Sequence, residues 1–230
     1  MRRLLPLLLG LVADAALAGE PLATDDASVL DRGTCQVEAW HRWSNRGGHV
    51  GWLVPACSVT DQVELGVGWA RYREPDESGH TLFLLQAKTV LYRSPDDRWS
   101  AGAVASAVHD TGRETRRKGI HEAVGLGLLS FNALDDTLRL HVNAGVIYNH
   151  GEYTTAAWGT AFEYDFREGW TAMGELFRDA PGRPSYQVGL RYLLITDRVE
   201  LFVSGGDRLH GSSDTWFAKF GVRFQTWKLF

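Results

Sequence analysis

From residue 34 to the C terminus, apolar and polar side chains alternate in long stretches that are separated by turns. The stretch that begins at Leu138 reads LRLHVNAGVIYN, and every second residue from there to Tyr148 is apolar. Such alternation places apolar side chains on one face of a β-strand and polar side chains on the other. No stretch shows the period of an amphipathic helix, so the sequence predicts an all-β protein.

Twelve stretches of this kind follow one another, and the connections between them alternate in kind. They lie near residues 34–43, 49–59, 62–73, 80–93, 98–109, 119–131, 137–149, 152–166, 169–178, 185–195, 198–205 and 214–230. Five tight turns alternate with six generally longer and more polar loops. This arrangement predicts a 12-stranded antiparallel transmembrane β-barrel with both termini on the side of the turns. A 10-stranded barrel and a secreted β-sandwich are the alternatives.

Strand length and tryptophan placement favour the membrane barrel over the sandwich. A strand needs about nine to eleven residues to cross a bilayer, and most of the stretches are that long. Tryptophans fall near the loop ends of some stretches and near the turn ends of others, where two interfacial aromatic belts would lie. These residues are Trp43, Trp69 and Trp216 at the loop ends and Trp99, Trp170 and Trp227 at the turn ends.

The N-terminal part of the chain predicts export. Residues 1–18 resemble a secretory signal peptide, with two arginines ahead of an apolar run that ends at Ala13 and a small-x-small cleavage site that ends at Ala18. The apolar run is about half as long as a membrane-anchoring helix. Residues 19–33 are acidic and poor in strand-forming side chains, which predicts a periplasmic leader ahead of a barrel over residues 34–230.

Composition and charge agree with this organisation. The chain has 25 glycines and nine tryptophans but only two methionines, which disfavours helices. Its formal charge of −4 lacks the basic surplus that neutralises phosphates, so we expect no nucleic-acid partner.

The C terminus carries a more specific signal. The chain ends on Phe230, and Phe220 and Phe224 share its parity in the last stretch. A signal peptide followed by a final amphipathic strand that ends in phenylalanine resembles Gram-negative outer-membrane β-barrel proteins. The resemblance implies insertion into outer-membrane lipid, with Phe230 as the signal for the barrel-assembly machinery. Thr226 and Lys228 depart from the pattern of that class, which usually has apolar residues there.

A narrower resemblance covers the start of the predicted mature chain. The letters PLATDD of residues 21–26, followed by Gln36-Val37-Glu38, look like the start of the barrels grouped as transporters of the meta-pathway of phenol degradation. That resemblance implies a role in the transport of small molecules.

The two cysteines have positions that favour a disulfide. Cys35 and Cys57 lie symmetrically about residue 46, the middle of the loop between the first two stretches. A symmetric hairpin therefore places them directly opposite one another, close enough to bond. An oxidising periplasm would favour the disulfide over two free thiols.

Charges of both signs occupy the polar faces, and because each is costly against lipid they predict a charged lumen. The expected lumen-lining residues are Glu38, Arg42, Glu64, Lys88, Arg139, His141, Glu163, Asp165, Glu175, Arg191, Glu200, Lys219 and Arg223. Hairpin symmetry places Arg139 opposite Glu163, and Glu64 opposite Lys88. Cross-strand ion pairs of this kind brace the wall.

A charged lumen predicts a channel or transporter for an unknown small-molecule solute. The alternatives are a non-conducting structural or receptor barrel and an outer-membrane hydrolase. His141 and Asn143 share one polar face, but no serine lies nearby in their stretch and no hydrolase motif surrounds them. We therefore expect no enzymatic activity, no catalytic residues and no cofactor.

The outer loops hold two further candidates. Six histidines fall at loop ends, but no pair has metal-ligand spacing, so we expect no metal site. One long loop is basic and would suit the phosphates of lipopolysaccharide, a merely solvated loop being the alternative. Its residues are Arg113, Arg116, Arg117 and Lys118.

Overall fold

The alternating stretches form twelve strands that close into a single barrel. A computed structural model describes residues 21–45, 47–74, 79–111, 120–209 and 215–230. Its strands are β1 (Cys35–Ser44), β2 (His49–Ser58), β3 (Val63–Arg73), β4 (His80–Arg93), β5 (Trp99–Asp110), β6 (Glu122–Ala133), β7 (Leu138–Asn149), β8 (Tyr153–Arg167), β9 (Trp170–Arg178), β10 (Ser185–Ile195), β11 (Val199–Arg208) and β12 (Phe217–Gln225). Each strand pairs with its neighbours in sequence, and β1 pairs with β12. The predicted 12-stranded antiparallel barrel is confirmed.

We call the end at which β1 begins the turn end, and the opposite end the loop end. The strand bounds follow the predicted ones closely except in β12, which ends at Gln225 and not at Phe230. Beyond Gln225, the backbone N–H of Thr226 donates to the carbonyl of Cys35 at 2.8 Å, and that of Leu229 donates to the carbonyl of Gly33 at 2.7 Å. The last residues therefore run beside the start of β1 at the turn end and do not extend the last strand.

The two faces of the wall differ as the alternation predicts. In β7, Leu140 and Val146 point outward and are 39% and 49% exposed, whereas His141 and Asn143 point inward and are 4% and 2% exposed. Among the described residues, no helix is both long and apolar enough to cross a bilayer.

The interior is less uniformly polar than the sequence predicts. In its loop half, Trp40 and Trp52 stack with ring centroids 6.0 Å apart. They belong to a buried cluster with Val54, Ala70, Leu82, Leu84, Val108 and Phe202. These strands carry apolar side chains on both faces, so part of the lumen is packed like a small core and the charged groups concentrate elsewhere.

The disulfide predicted from hairpin symmetry is present. The register of β1 and β2 pairs Cys35 with Cys57 directly, and their sulfur atoms are bonded. The bond joins β1 to β2 at the turn end, close to the point where the chain enters β1.

Residues 21–33, which we call the luminal segment, enter the barrel, although the sequence predicts a periplasmic leader there; Asp31 and Arg32 at the root of the segment are exposed. Leu22, Asp25 and Ala27 are each buried to 2% exposure or less. Gly33 has a left-handed φ of 80°, and a Cβ there would lie 2.2 Å from the carbonyl oxygen of Phe230. This turn directs the chain from β1 into the lumen, where polar wall groups bind its backbone and its acids.

Candidate functional site

Six charged residues form a continuous chain of ion pairs along the inner wall at the turn end, which we call the wall network. Its members are Asp165, Arg139, Glu163, Arg191, Glu200 and Arg223. All six belong to the lumen-lining residues predicted from the sequence.

The network begins on β7 and β8. Arg139 faces Glu163 in the strand register, as predicted, and its Nε donates to Glu163 Oε2 at 3.0 Å. Its Nη1 donates to Asp165 Oδ2 at 2.8 Å. One guanidinium thus joins two carboxylates of the neighbouring strand, a geometry in which charge-assisted hydrogen bonds are strong.

The network continues around the wall because a short side chain lies between its members. Arg191 of β10 faces Thr171 of β9, which faces Asp165 of β8. Over this threonine, Arg191 Nη2 reaches Glu163 Oε2 at 2.6 Å. Arg223 then bonds Glu200, its register partner on β11, with Nη2 and Oε2 2.6 Å apart.

A second set of wall groups binds the luminal segment, and we call these the anchor residues. They are Glu64, Lys88, Ser130, Asn143, Glu175, Gln187 and Lys219. The polar side chains Ser130, Asn143 and Gln187 are absent from the lumen-lining set predicted from the sequence. Alternation along their strands places these three residues on the inward face, and this was the sequence feature that could have identified them.

Lys88 makes the strongest electrostatic contact with the segment. Its Nζ lies 2.7 Å from Asp25 Oδ1 and also contacts the carboxylate of Asp26. The register pairs Glu64 with Lys88, as the sequence predicts, but the ammonium group points to the segment. Glu64 accepts instead from the backbone N–H of Leu30, at 3.4 Å.

The backbone of the segment is held along its length. Glu175 accepts from the backbone N–H groups of Ala23 and Thr24, each at 2.8 Å. Nearer the loop end, the carbonyl of Pro21 accepts from Gln187 Nε2 at 2.7 Å and from Lys219 Nζ at 3.0 Å. The wall therefore binds main-chain polar groups of the segment, and the buried apolar contacts of Leu22 and Ala27 add to them.

The middle of the segment is held by neutral groups. The side-chain amide of Asn143, oriented so that both of its groups are satisfied, donates to the carbonyl of Asp25 at 2.9 Å and accepts from its N–H at 2.6 Å. Gly159 makes room for the neighbouring residue, since a Cβ at Gly159 would lie 2.2 Å from Thr24 Oγ1. The inner wall is thus shaped to the segment as well as bonded to it.

The two acids of the segment share one ammonium group and so differ in proton affinity. Burial raises the pKa of Asp25 to about 7, against the opposing pull of Lys88. Burial acts in the same direction on Asp26, but Lys88 and the Ser28 hydroxyl, which donates to it at 2.6 Å, outweigh it and lower the pKa. Near neutral pH the pair therefore carries between one and two negative charges.

A polar cavity of about 280 Å³ separates the luminal segment from the wall network. Its lining residues are Thr24, Asp25, Asp26, Ser28, Val29, Leu30, Gln36, Glu38, Glu64, Lys88, Arg139, His141, Glu163, Arg191, Arg223 and Gln225. A second cavity, of about 490 Å³, lies at the turn end and is also lined by Arg139 and Arg191. The two arginines therefore stand between the interior cavity and the mouth of the barrel.

The sequence shows no serine near His141 in its own strand, but the structure places one beside it on the adjacent strand. Ser130 faces His141 in the register of β6 and β7, and Ser130 Oγ lies 2.8 Å from His141 Nδ1. The same hydroxyl accepts from the backbone N–H of Ala27 at 2.8 Å, and both side chains are buried beneath the segment. The Ser130 hydroxyl thus anchors the segment, whereas His141 also lines the polar cavity.

The remaining predicted residues lie apart from the cavity or outside the described part of the chain. Arg42 lies in the loop half, with its guanidinium carbon 4.3 Å from the ring centroid of Phe217. Phe230 is exposed at the turn end. The basic loop of Arg113, Arg116, Arg117 and Lys118 lies outside the described residues, as does the predicted signal peptide. Within the described ranges, no group of three or more His, Cys, Asp or Glu side chains is placed to hold a metal ion.

Comparison with known proteins gives a family and a fold. The family described as Uncharacterised conserved protein UCP029691 matches residues 7–224. No curated protein matches the sequence.

Three solved structures are similar in fold and distant in sequence. The KdgM porin has a TM-score of 0.62 at 13% identity, and the match covers 82% of this chain and 98% of that one. An outer membrane channel from Pseudomonas putida F1 has a TM-score of 0.60 at 12% identity, covering 87% and 98%. Omp33 of Acinetobacter baumannii has a TM-score of 0.55 at 10% identity, covering 84% and 98%.

Proposed function

We propose that this chain, which belongs to the family of Uncharacterised conserved protein UCP029691, is an outer-membrane channel for small polar molecules. The observation that carries the proposal is the pair of polar cavities that meet at Arg139 and Arg191 inside the barrel. A barrel that served only as a support would have no need of solvent-sized polar space lined by charges of both signs.

The outer surface supports a location in a membrane. Its strands expose large apolar side chains such as Leu85, Val142 and Phe220, which would be unfavourable in water but suit lipid. Tyr92 packs against Trp99 at the turn end, with ring centroids 4.6 Å apart. Aromatic pairs at the ends of strands suit the headgroup region of a bilayer.

The similar folds also support the proposal, because those proteins are described as a porin, an outer membrane channel and an outer membrane protein. Export through the predicted signal peptide, assembly through Phe230 and contact of the basic loop with lipopolysaccharide remain predictions. The resemblance to transporters of the phenol meta-pathway likewise remains a prediction, and it names a solute class that the proposal does not require.

Liposome swelling tests the proposal. Vesicles that contain the full mature protein, with its folded state checked by heat-modifiable gel mobility, should swell in small sugars and amino acids faster than empty vesicles. A protein that stays soluble without detergent and shows no heat-modifiable shift would contradict the location in a membrane.

A second candidate function is a non-conducting barrel, and the luminal segment is the observation that favours it. If folded protein lacking residues 21–30 also fails to admit solutes, the non-conducting barrel replaces the channel. Ester or peptide hydrolysis by the same purified protein, abolished by Ser130→Ala, would instead support the hydrolase.

A further inference from the structure

Lys88 is a wall cation whose carboxylate partners both lie on the luminal segment. Among the described residues, the ion pairs of Lys88 are those with Asp25 and Asp26. Its side chain is 9% exposed, and it comes from the middle of β4, so its ammonium group sits within the lumen. A buried ammonium is costly without an anionic partner, and this partner is part of a segment with no strand pairing of its own.

Withdrawal of the segment would change the sign of the net charge on the residues that line the first cavity. With the segment in place, the lining carries the carboxylates of Asp25, Asp26, Glu38, Glu64 and Glu163 against the cations Lys88, Arg139, Arg191 and Arg223. Without the two aspartates, three carboxylates would face four cations. The part of the passage at Lys88 would then favour a negatively charged group, because this ammonium would lose both of its carboxylate partners.

The segment has the features of a removable element. It is attached at its root, where the backbone N–H of Gly33 donates to the carbonyl of Ser58 at 2.8 Å and the disulfide fixes Cys35 to β2. From there to Pro21 it is held by hydrogen bonds and ion pairs, which water or a solute can replace, and by the apolar contacts of two buried side chains, Leu22 and Ala27. The wall network needs none of these contacts, since its members satisfy one another across strands.

We propose that the luminal segment is a displaceable plug, and that Asp25 and Asp26 occupy on Lys88 the site at which a carboxylate-bearing solute binds when the channel opens. This inference rests on the proposed channel function and assigns its substrate class. The neighbouring carboxylates of Asp25 and Asp26 compete with the solute for Lys88. A small dicarboxylate is therefore the simplest probe of the site.

Two full-length variants separate release of the plug from recognition of the anion. Asp25→Asn with Asp26→Asn leaves the ammonium of Lys88 in place, whereas Lys88→Gln removes it, and both break the same two ion pairs. In planar bilayers both should raise the open fraction about tenfold or more, since a charge-assisted contact is lost in each. Under a salt gradient, the aspartate variant should shift the reversal potential toward the chloride potential, and Lys88→Gln should not.

Succinate is the probe for competition, with neutral succinamide as the matched control. Millimolar succinate should raise the open fraction of the wild-type protein, succinamide should not, and Lys88→Gln should lose the response. Equal effects of both solutes, or an unchanged response in Lys88→Gln, would overturn the inference.

A variant that lacks residues 21–30 distinguishes failure of the proposed channel function from failure of the proposed dicarboxylate site. If this variant is folded by gel mobility and passes no current, the proposed channel function fails. If it conducts while succinate has no effect on the wild-type protein, the channel stands and the dicarboxylate site is wrong.

Discussion

The wall network and the anchor residues both place charged groups inside the barrel, yet these groups are satisfied in different ways. Arg139, Glu163 and Arg191 bond to one another across neighbouring strands. Lys88 and Glu175 bond to the luminal segment. The ion pairs of the first arrangement include no residue of the segment, whereas those of the second are made to it. Charge in a lumen can therefore support the wall or hold a removable element, and the partner that each side chain contacts separates the two roles, since Glu64 and Lys88 face one another in the register and still bond to the segment.

The largest effect on barrel stability should follow loss of the acid at the centre of the wall network. Glu163→Gln leaves two guanidinium groups without their shared carboxylate. We expect it to lower the free energy of unfolding by about 2–3 kcal/mol, somewhat less than for a fully dry ion pair because the cavity admits water. Urea unfolding followed by tryptophan fluorescence measures it, and an unchanged midpoint would show that the network does not brace the wall.

The matched change among the anchor residues should act on conduction. Glu175→Gln weakens the group that accepts from the N–H groups of Ala23 and Thr24. We expect a several-fold higher open fraction in planar bilayers, because a neutral amide is the weaker acceptor. The unfolding midpoint should change much less than in Glu163→Gln. Equal loss of stability in the two variants would remove the distinction between the two sets.

A steric change at the wall should also release the segment. A methyl group at Gly159 meets Thr24 Oγ1 at 2.2 Å, so Gly159→Ala should raise the open fraction severalfold while the barrel remains folded. Gly127→Ala is the control, because its new Cβ would have the carbonyl oxygen of Ala144 at 3.7 Å as its nearest neighbour. A closed channel in Gly159→Ala would mean that the segment shifts without leaving.

The smallest effect should be a dependence of opening on pH. Burial raises the pKa of Asp25 from its ordinary 3.8 to about 7 in the docked segment. The docked form therefore binds the extra proton between these values, and docking weakens as pH rises through about 7. Lys88, Asp26 and Glu64 are the charged groups that act on Asp25, and the lowered pKa of Asp26 matters only in stronger acid.

We therefore expect the open fraction to rise modestly between about pH 5 and pH 8. Asp25→Asn should flatten that part of the profile, whereas Asp61→Asn, at an exposed aspartate in the turn between β2 and β3, should not. A profile that falls with rising pH would contradict the direction of the shift.

The barrel could be predicted from sequence because its strands and hairpins are specified by residues that lie close together in the chain. Alternation identifies each strand, and the midpoint of each hairpin sets its register, which is why the pairings of Cys35 with Cys57 and of Arg139 with Glu163 were correctly predicted. The apolar cluster around Trp40 and Trp52 was not predicted, because in those strands both faces carry apolar residues and the period of two is weak.

The luminal segment could not be predicted in the same way. It has no alternation, and its contacts join residues far apart in sequence, such as Pro21 and Lys219. In the sequence alone, Asp25 and Asp26 are typical of a solvated leader. Their contact with Lys88 exists only in the folded barrel. The sequence pattern places Ser130 and Asn143 among the inward-facing polar residues, but it does not show that they bind the segment.

The most direct test of this account is the current through single folded barrels, measured for the wild-type protein and for the variant that lacks residues 21–30. We expect rare, brief openings in the wild-type protein and sustained, anion-preferring current in the variant, with heat-modifiable mobility retained in both. Equal currents in the two proteins, or a folded variant that passes none, would contradict the claim that the luminal segment closes a polar passage.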